Sequence, residues 1–319
     1  MITSRRNQKL KDMKRIRRCK GAPGEALLEG PHLISAALAA GLPVNSVVAT
    51  PAFWDSEDAA ALRRALPHPP ELAAPEVLEE LADADSPRGI VARTLLRLYR
   101  CPAPDVAPEA TEAPNAWPAG RALARGPGND VASSLERSDR LAASGAGLWP
   151  ALPAQRGGVY VYLDRVQDPG NLGAIARVAE ATGVAALVLS PDCAHPEHPR
   201  SLRASAGSLL RIAVAPSVEL PALTRHLATL SPRVAVLEPR DGTELHRATA
   251  DLEGTLILVL GSEGSGARPD IFDAADVRLT IPMESPVESL NVAVAAAVVL
   301  YERRRSSPIT RPGPRAGRR

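Results

Sequence analysis

The stretch GVYVYLDRVQDPGNLGAIARVAEATGVAALVLS, residues 158–190, decides the fold. GVYVYLD reads as a strand, Asp168-Pro169-Gly170-Asn171 as a tight turn, the residues after Pro169 as a helix, and AALVLS as a second strand. The run AALVL is apolar throughout, and so is LILVL at 256–260. A strand covered by helices on both faces has no wet side toward which polar residues alternate, so the expected sheet is mostly parallel. The rhythm continues through a helix near 200–207, RIAVA, a helix near 219–230, RVAVLE, DVRLTIP and a final helix. Residues 158–304 therefore read as one α/β domain.

Working outward, residues 25–100 alternate β-like runs with helical ones. EALLEG, the helical PHLISAALAAG, VNSVVAT, helices near 57–66 and 75–83, and a last strand in GIVARTLLRLY make a small α/β unit over residues 1–100. The turn Ser86-Pro87-Arg88-Gly89 introduces that last strand. At 101–157 periodicity vanishes and Ala, Pro, Gly and Ser dominate. Structureless loops much beyond about 15 residues are uncommon inside a compact domain, so this stretch reads as a flexible linker. Residues 305–319 read as a basic disordered tail.

The net charge of +2 conceals an asymmetry. Residues 1–20 carry nine Lys/Arg against one acid, residues 303–319 carry seven Arg and no acid, and 21–302 are left with 22 bases against 35 acids. A concentrated basic segment gains affinity for phosphates by releasing their counterions, although charged ends are more often simply solvated. Nucleic acid is the partner class to expect, with Arg5, Arg6, Lys9, Lys14, Arg17 and Arg18 as backbone contacts. Aromatic residues make up 3% of the chain, too few for a base-stacking platform, which favours a structured nucleic acid over a single strand. Cys19, Cys101 and Cys193 have no CxxC or Cys/His spacing, so isolated reduced thiols and no metal are expected. The charged N-terminus lacks the apolar core of a signal peptide, and no run approaches the ~20 apolar residues of a membrane span. A cytoplasmic protein is expected.

In open α/β sheets ligands bind beyond the carboxyl ends of the strands, and three turns there are unusual. The turn at 168–171 enters a helix whose first amides can hold an anion, with Arg177 two turns in. In LVLGSEGSGARP, residues 258–269, Gly261, Gly264 and Gly266 let backbone approach a ligand while Glu263 presents a carboxylate. This is neither a Walker loop, since no GK[ST] follows, nor a GxGxxG turn, which argues against a nucleotide-dependent oxidoreductase. The third is IPMESPVESLNVAVAAAVVLYERRR, residues 281–305, with Ser289 and Asn291 at the start of a long helix. Ser289 is the natural N-cap there, whereas Asn291 lacks that structural explanation.

Together these segments closely resemble the three signature motifs of the SpoU, or TrmH-type, methyltransferases, a branch of the knotted SPOUT superfamily. The resemblance covers residues 158–304 in order and spacing, including SLRASAGSLLRI at 201–212. Through LLEGPHLISAALAAG and SPRGIVA, the first 100 residues resemble the ribosomal-protein-like RNA-recognition domain that precedes the catalytic domain in many members. The resemblance implies a parallel sheet with a trefoil knot, a homodimer formed through this domain, and S-adenosylmethionine-dependent methylation of a ribose 2′-hydroxyl in structured RNA. It implies Asn171 and Arg177 as the first-motif pair, Glu263 as the second-motif acid and Ser289 with Asn291 as the third-motif pair. It also implies backbone at Gly261, Ile281 and Leu290 around the cofactor. Ser285 stands where the family usually has glycine and Ala293 where serine is common, and the linker is long; none of these removes a proposed group.

Methyl transfer to a hydroxyl requires alignment and removal of a proton. A guanidinium does not give up its proton in proteins, so Arg177 is expected to clamp the phosphate beside the target ribose instead of acting as a base. Asn171 and Ser289 would then fix the nucleotide, with Glu263 orienting Arg177 or Asn291. The recognition domain favours ribosomal RNA; transfer RNA is the alternative substrate. The intact polar set argues against a non-catalytic RNA-binding assembly factor.

Overall fold

The computed structural model describes residues 2, 7–81, 88–101, 150–239 and 241–306. Arg5 and Arg6, most of the expected linker and most of the basic tail lie outside the described residues. The first unit holds strands β1 (Glu25–Glu29), β2 (Val44–Ala49), β3 (Glu71–Leu72) and β4 (Ile90–Leu95), ordered β1-β4-β2-β3. β4 runs antiparallel to both its neighbours, and β2 pairs parallel with β3. Among the described residues, five α-helices accompany this sheet: α1 (Gln8–Arg17), α2 (Gly30–Ala39), α3 (Pro51–Asp55), α4 (Ala60–Ala65) and α5 (Pro75–Glu79).

Both faces are covered. α1 and α5 seat Leu10, Met13, Ile16, Val77 and Leu78 on one side, while α2 and α4 place Leu33, Ile34 and Leu62 on the other. α1 is formed by the basic N-terminal segment. Its apolar residues recur every three positions and its N-terminus is capped by Asn7, whose side chain accepts from Lys9 N at 2.9 Å. Burying each of those side chains is worth about 1.5–3 kcal/mol, enough to dock a helix whose outer face is charged.

The second unit carries β5 (Val159–Leu163), β6 (Ala186–Leu189), β7 (Val214–Ala215), β8 (Arg233–Leu237), β9 (Thr243–Glu244), β10 (Leu256–Leu260) and β11 (Val277–Thr280). They form one sheet in the order β7-β6-β5-β10-β8-β11-β9, and every pairing is parallel. The helices are α6 (Pro169–Thr182), α7 (Pro199–Ala204), α8 (Leu220–His226), α9 (Pro269–Asp273) and α10 (Val292–Ser306). Side chains alternate between faces with the period of two that a strand imposes. Val161, Leu163, Leu258 and Leu260 join the core under α6, α7 and α10, whereas Tyr160, Tyr162, Ile257 and Val259 join the core under α8 and α9.

β10 lies between β5 and β8. The helix after β5 covers one face and the helix after β10 covers the other, so the two chains diverge as they leave the sheet and open a crevice at its carboxyl edge. The two units are also in direct contact. Tyr99 N donates to Val214 O at 2.8 Å, the buried Glu197 accepts from Gly24 N at 2.9 Å, and Arg203 pairs with Glu29 at 3.1 Å. Residues 150–157, expected in the linker, pack onto the second unit: Leu152 is buried in its core, Ala151 pairs with Arg100, and Tyr160 Oη donates to Pro153 O at 2.8 Å. An apolar side chain with a slot and a short run with a β partner order this segment despite its composition. None of the helices among the described residues is long and apolar enough to cross a membrane.

Candidate active site at the carboxyl edge of the parallel sheet

α6 is fixed at both ends by its own sequence. Asp168 caps it, accepting from Asn171 N at 2.9 Å, Pro169 occupies the first turn, and Gly183 ends it at φ 76°. Along its length Gly173 allows contact with α7, because a Cβ there would lie 2.4 Å from Ser201 O. Asn171 is thereby held over the crevice, where its Nδ2 donates to Glu263 Oε1 and its Oδ1 accepts from Asn291 Nδ2 at 3.0 Å. One hydrogen-bonded chain, Asn291–Asn171–Glu263, therefore joins the three motifs.

Asn291 has a second task. Its side-chain oxygen accepts from Ala293 N at 3.0 Å and Val294 N at 3.4 Å, capping α10, which begins at Val292. The capping role expected of Ser289 belongs to Asn291 instead. An asparagine carbonyl can cap while its amide still donates, so structural and functional roles coincide in one side chain. Ser289 sits in the irregular segment before the helix and lines the cavity described below.

The 262–266 turn closes on itself, with Ser262 N donating to Gly266 O at 3.1 Å and Gly266 N to Ser262 O at 3.0 Å. Gly261 has no room for a side chain, Gly264 has open space around it, and Gly266 adopts φ +67°. Beneath the turn, the fully buried Asp164 accepts from Arg268 N at 2.9 Å and pairs with its guanidinium, which also reaches Glu219 at 2.9 Å. The hydrogen bond to Glu219, with the charge of Asp164, outweighs burial and raises the pKa of Arg268.

A cavity of about 520 Å³ opens here, within the usual range for small-molecule sites, and Gly261, Glu263, Ile281, Ser289 and Leu290 line it. Asn171 and Asn291 adjoin it through Glu263. Arg177 stands apart, about 9 Å along α6 from Asn171 and a third of a turn round it by helix geometry. It is exposed and makes no hydrogen bond or ion pair among the described residues. Glu238 and Asp241, in the segment after β8, also line the cavity and were not singled out from sequence, although the rule about carboxyl ends applies to RVAVLE as well. Glu238 Oε2 is shut off from water and has no hydrogen-bond donor among the described residues.

The lining carries four carboxylates, Glu238, Asp241, Glu263 and Glu288, and no lysine or arginine among the described residues. With Leu237, Leu260, Met283 and Leu290 beside them, these suit a cationic ligand with an apolar body and would repel a phosphorylated nucleotide. No group of His, Cys, Asp and Glu among the described residues could hold a metal ion. In the N-terminal unit Lys9 and Lys14 form ion pairs with Glu71 and Glu80, and Arg18 is exposed just beyond α1.

The SpoU rRNA Methylase family matches residues 158–301. A tRNA/rRNA methyltransferase of Synechocystis, itself uncharacterized, is 31% identical over 309 residues, 95% of this chain and 93% of that protein. The 23S rRNA (guanosine-2′-O-)-methyltransferase RlmB of Xylella fastidiosa is 40% identical over 140 residues, 44% of this chain and 55% of the relative. Among solved structures, the SpoU methyltransferase AviRb from Streptomyces viridochromogenes in complex with AdoMet superposes with a TM-score of 0.68 at 23% identity, covering 94% of this chain and 98% of that one. The motifs, their joined geometry and these relatives define an RNA methyltransferase. The chain belongs to the SpoU rRNA Methylase family.

Proposed function

We propose that this protein methylates the 2′-hydroxyl of one ribose in structured ribosomal RNA, with S-adenosylmethionine as donor. The hydrogen-bonded chain Asn291–Asn171–Glu263 beside the acidic cavity carries the reading, since it places polar groups from all three motifs at one edge of a ligand-sized space. The cavity residues fit the donor: Glu238, Asp241 and Glu263 suit its positive charges, and Leu260, Ile281 and Leu290 suit its adenosine. When bound, S-adenosylmethionine supplies a methyl group on a sulfonium for in-line displacement. The protein's own groups do the rest by positioning. Asn171 and Ser289 hold the acceptor nucleotide, and Glu263 fixes the amide of Asn171. Arg177, exposed and without an ionic partner among the described residues, offers its guanidinium to an RNA phosphate and acts by charge.

Residues 1–100 bind the RNA, with the outer face of α1 toward phosphate. The protein works as a homodimer. The large exposed apolar side chains among the described residues, Val287, Leu290, Val294, Val298 and Tyr301, fall within fifteen residues, and on α10 they recur as a stripe that water disfavours. A trefoil knot at the carboxyl end is supported by α10 returning across the β8–β10 connection, where Arg303 donates to Leu252 O at 2.9 Å and Gly254 O at 2.8 Å. The reaction takes place in the cytoplasm.

The test is transfer of labelled methyl from S-adenosylmethionine to ribosomal and transfer RNA pools by wild type, Asn291→Ala and Arg177→Ala. Label in ribosomal RNA, lost in both variants, is the expected result. Label in transfer RNA alone would move the substrate, and none in either pool, with RNA and cofactor still bound, would favour a binding protein.

A further inference from the structure

An RNA whose ribose is held beside the Asn171–Glu263 pair brings two phosphates with it, one on each side. Arg177 meets the RNA backbone from another face of α6 than Asn171, so the cations beside the 168–171 turn are the ones placed to meet this pair. Two arginines flank the 168–171 turn. Arg165, at the end of β5, reaches toward the 262–266 turn, its Nη2 3.5 Å from Ser265 Oγ and its Nε 3.5 Å from Asp164. Arg200, at the start of α7, lies on the other side, its Nη2 3.3 Å from Asp168 and its Nε 3.5 Å from where a Cβ on Gly170 would stand.

Arg165 is costly to keep. It holds φ 57°, and it is the only long charged side chain among the non-glycine residues with positive φ in the described chain, the others being Cys19, Ala206 and the serines 46, 217 and 231. That conformation costs an ordinary residue about 1–2 kcal/mol, and glycine would take it without penalty. Local strain of this kind concentrates where a side chain is used. Its amide donates to Ser190 Oγ at 2.9 Å, a bond that glycine would make equally well, so the backbone does not require arginine. Arg200 is the complementary case. It is 58% exposed, and ion pairs so open to solvent are weak, so Asp168 aims the guanidinium without neutralising it for good. Asp168 meanwhile keeps its other oxygen on Asn171 N, which ties the cation to the residue that positions the ribose.

Resting on the proposed methylation of RNA, we propose that Arg165 and Arg200 are a guanidinium pair that grips the phosphates on either side of the target ribose. Base identity plays no part in this contact; it selects a backbone bent sharply enough to present both phosphates to one edge of the sheet.

The experiment is binding of protein-free bacterial ribosomal RNA, cut to fragments of one length, across a salt series for wild type, Arg165→Gly, Arg200→Ala and the double variant. S-adenosylhomocysteine binding is measured in parallel. Each single change should weaken RNA binding about tenfold and remove about 0.7–0.9 from the slope of log affinity against log salt, with S-adenosylhomocysteine affinity unchanged. Arg165→Gly also relieves the strain and should melt no lower than wild type, so misfolding does not obscure the result. An unchanged slope in either single variant overturns the pair. Joint loss of RNA and S-adenosylhomocysteine binding in Arg165→Gly also overturns it, assigning Arg165 to support of the 262–266 turn. Should wild type transfer no methyl, the enzymatic reading fails by itself, and the salt slopes still decide the grip.

Discussion

A single methyl group at Gly261 should both destabilise the protein and close the cavity proposed for the cofactor. A Cβ built there lies 2.1 Å from Ala267 N and from Gly266 C, and 2.6 Å from Gly266 O, all backbone atoms. Ordinary contacts begin near 3.5 Å, so the 262–266 turn must retreat by more than about 1 Å. That displacement breaks the two Ser262–Gly266 hydrogen bonds, worth about 1 kcal/mol each, and residual crowding adds about another. A loss of about 2–3 kcal/mol corresponds to roughly 4–12 °C in a unit of this size. Because the displaced turn carries Glu263 and borders the cavity, S-adenosylhomocysteine should bind more weakly by about 100-fold in calorimetry. Gly264→Ala is the control. It has nothing within 4 Å and should change the melting temperature very little. If Gly261→Ala melts and binds like wild type, or if Gly264→Ala costs as much, the steric account is wrong.

Asn291→Asp keeps the capping oxygen of α10 but cannot donate to Asn171, so it should melt within about 2 °C of wild type while losing most methyl transfer; equal loss of stability would mean the cap needs the amide. Burial pushes the Glu180 carboxyl up, but hydrogen bonds from Arg211 and Ser208 outweigh it and hold it below 4.5. A depressed carboxylate stabilises above its unfolded value, and that gain is lost as pH falls through the folded one. Arg211→Ala should therefore cost about 1 kcal/mol near neutrality, with the gap to wild type closing in denaturant titrations as pH falls below 4.5. Burial, with the Glu197 charge adding, lifts Cys19 to about 11, and burial alone lifts Cys101 to about 12, from an ordinary 9.0. Both thiols should resist iodoacetamide at pH 8 until the protein unfolds; the stability they lend as neutral thiols is complete below 9 and disappears as pH rises toward 11–12. Prompt alkylation of the native protein would contradict this.

Much of the second unit was legible because its signals are local and redundant. Apolar runs mark β5, β6 and β10, Asp168-Pro169 and Gly183 mark the ends of α6, and glycines mark the 261–266 turn. What stayed hidden depends on partners distant in sequence. α1 carries the charge of a solvated tail, and only the surface made by Leu27, Val48 and Val91 turns its three apolar residues into a docked helix. The two-residue strands β3 and β9 are too short to leave a periodic signal. The capping assignment went to Ser289 because Ser and Asn are near-equal caps, and only the register of α10 separates two residues two positions apart. Glu238 and Asp241 acquire meaning only when β10 is inserted between β5 and β8, which brings the segment after β8 beside Gly261.

The charge pattern of the site follows the same strand order. Carboxylates at Glu238, Asp241 and Glu288 line the cavity away from β5, Glu263 follows β10 at its centre, and the guanidiniums of Arg165 and Arg200 stand on the side over β5. A cationic donor and a polyanionic acceptor would thus approach from opposite sides and meet at Asn171. Transfer converts the sulfonium into a neutral thioether, and carboxylates at the proposed donor site would then hold the product less well than the donor. A unit charge among partly hydrated carboxylates is worth about 1 kcal/mol, or about fivefold in affinity. Wild type should bind S-adenosylmethionine about fivefold more tightly than S-adenosylhomocysteine at low salt, and a Glu238→Gln, Asp241→Asn double variant should lose that preference while binding the thioether as before. A preference for the thioether in wild type, or one that survives both substitutions, would show that shape and not charge discriminates donor from product.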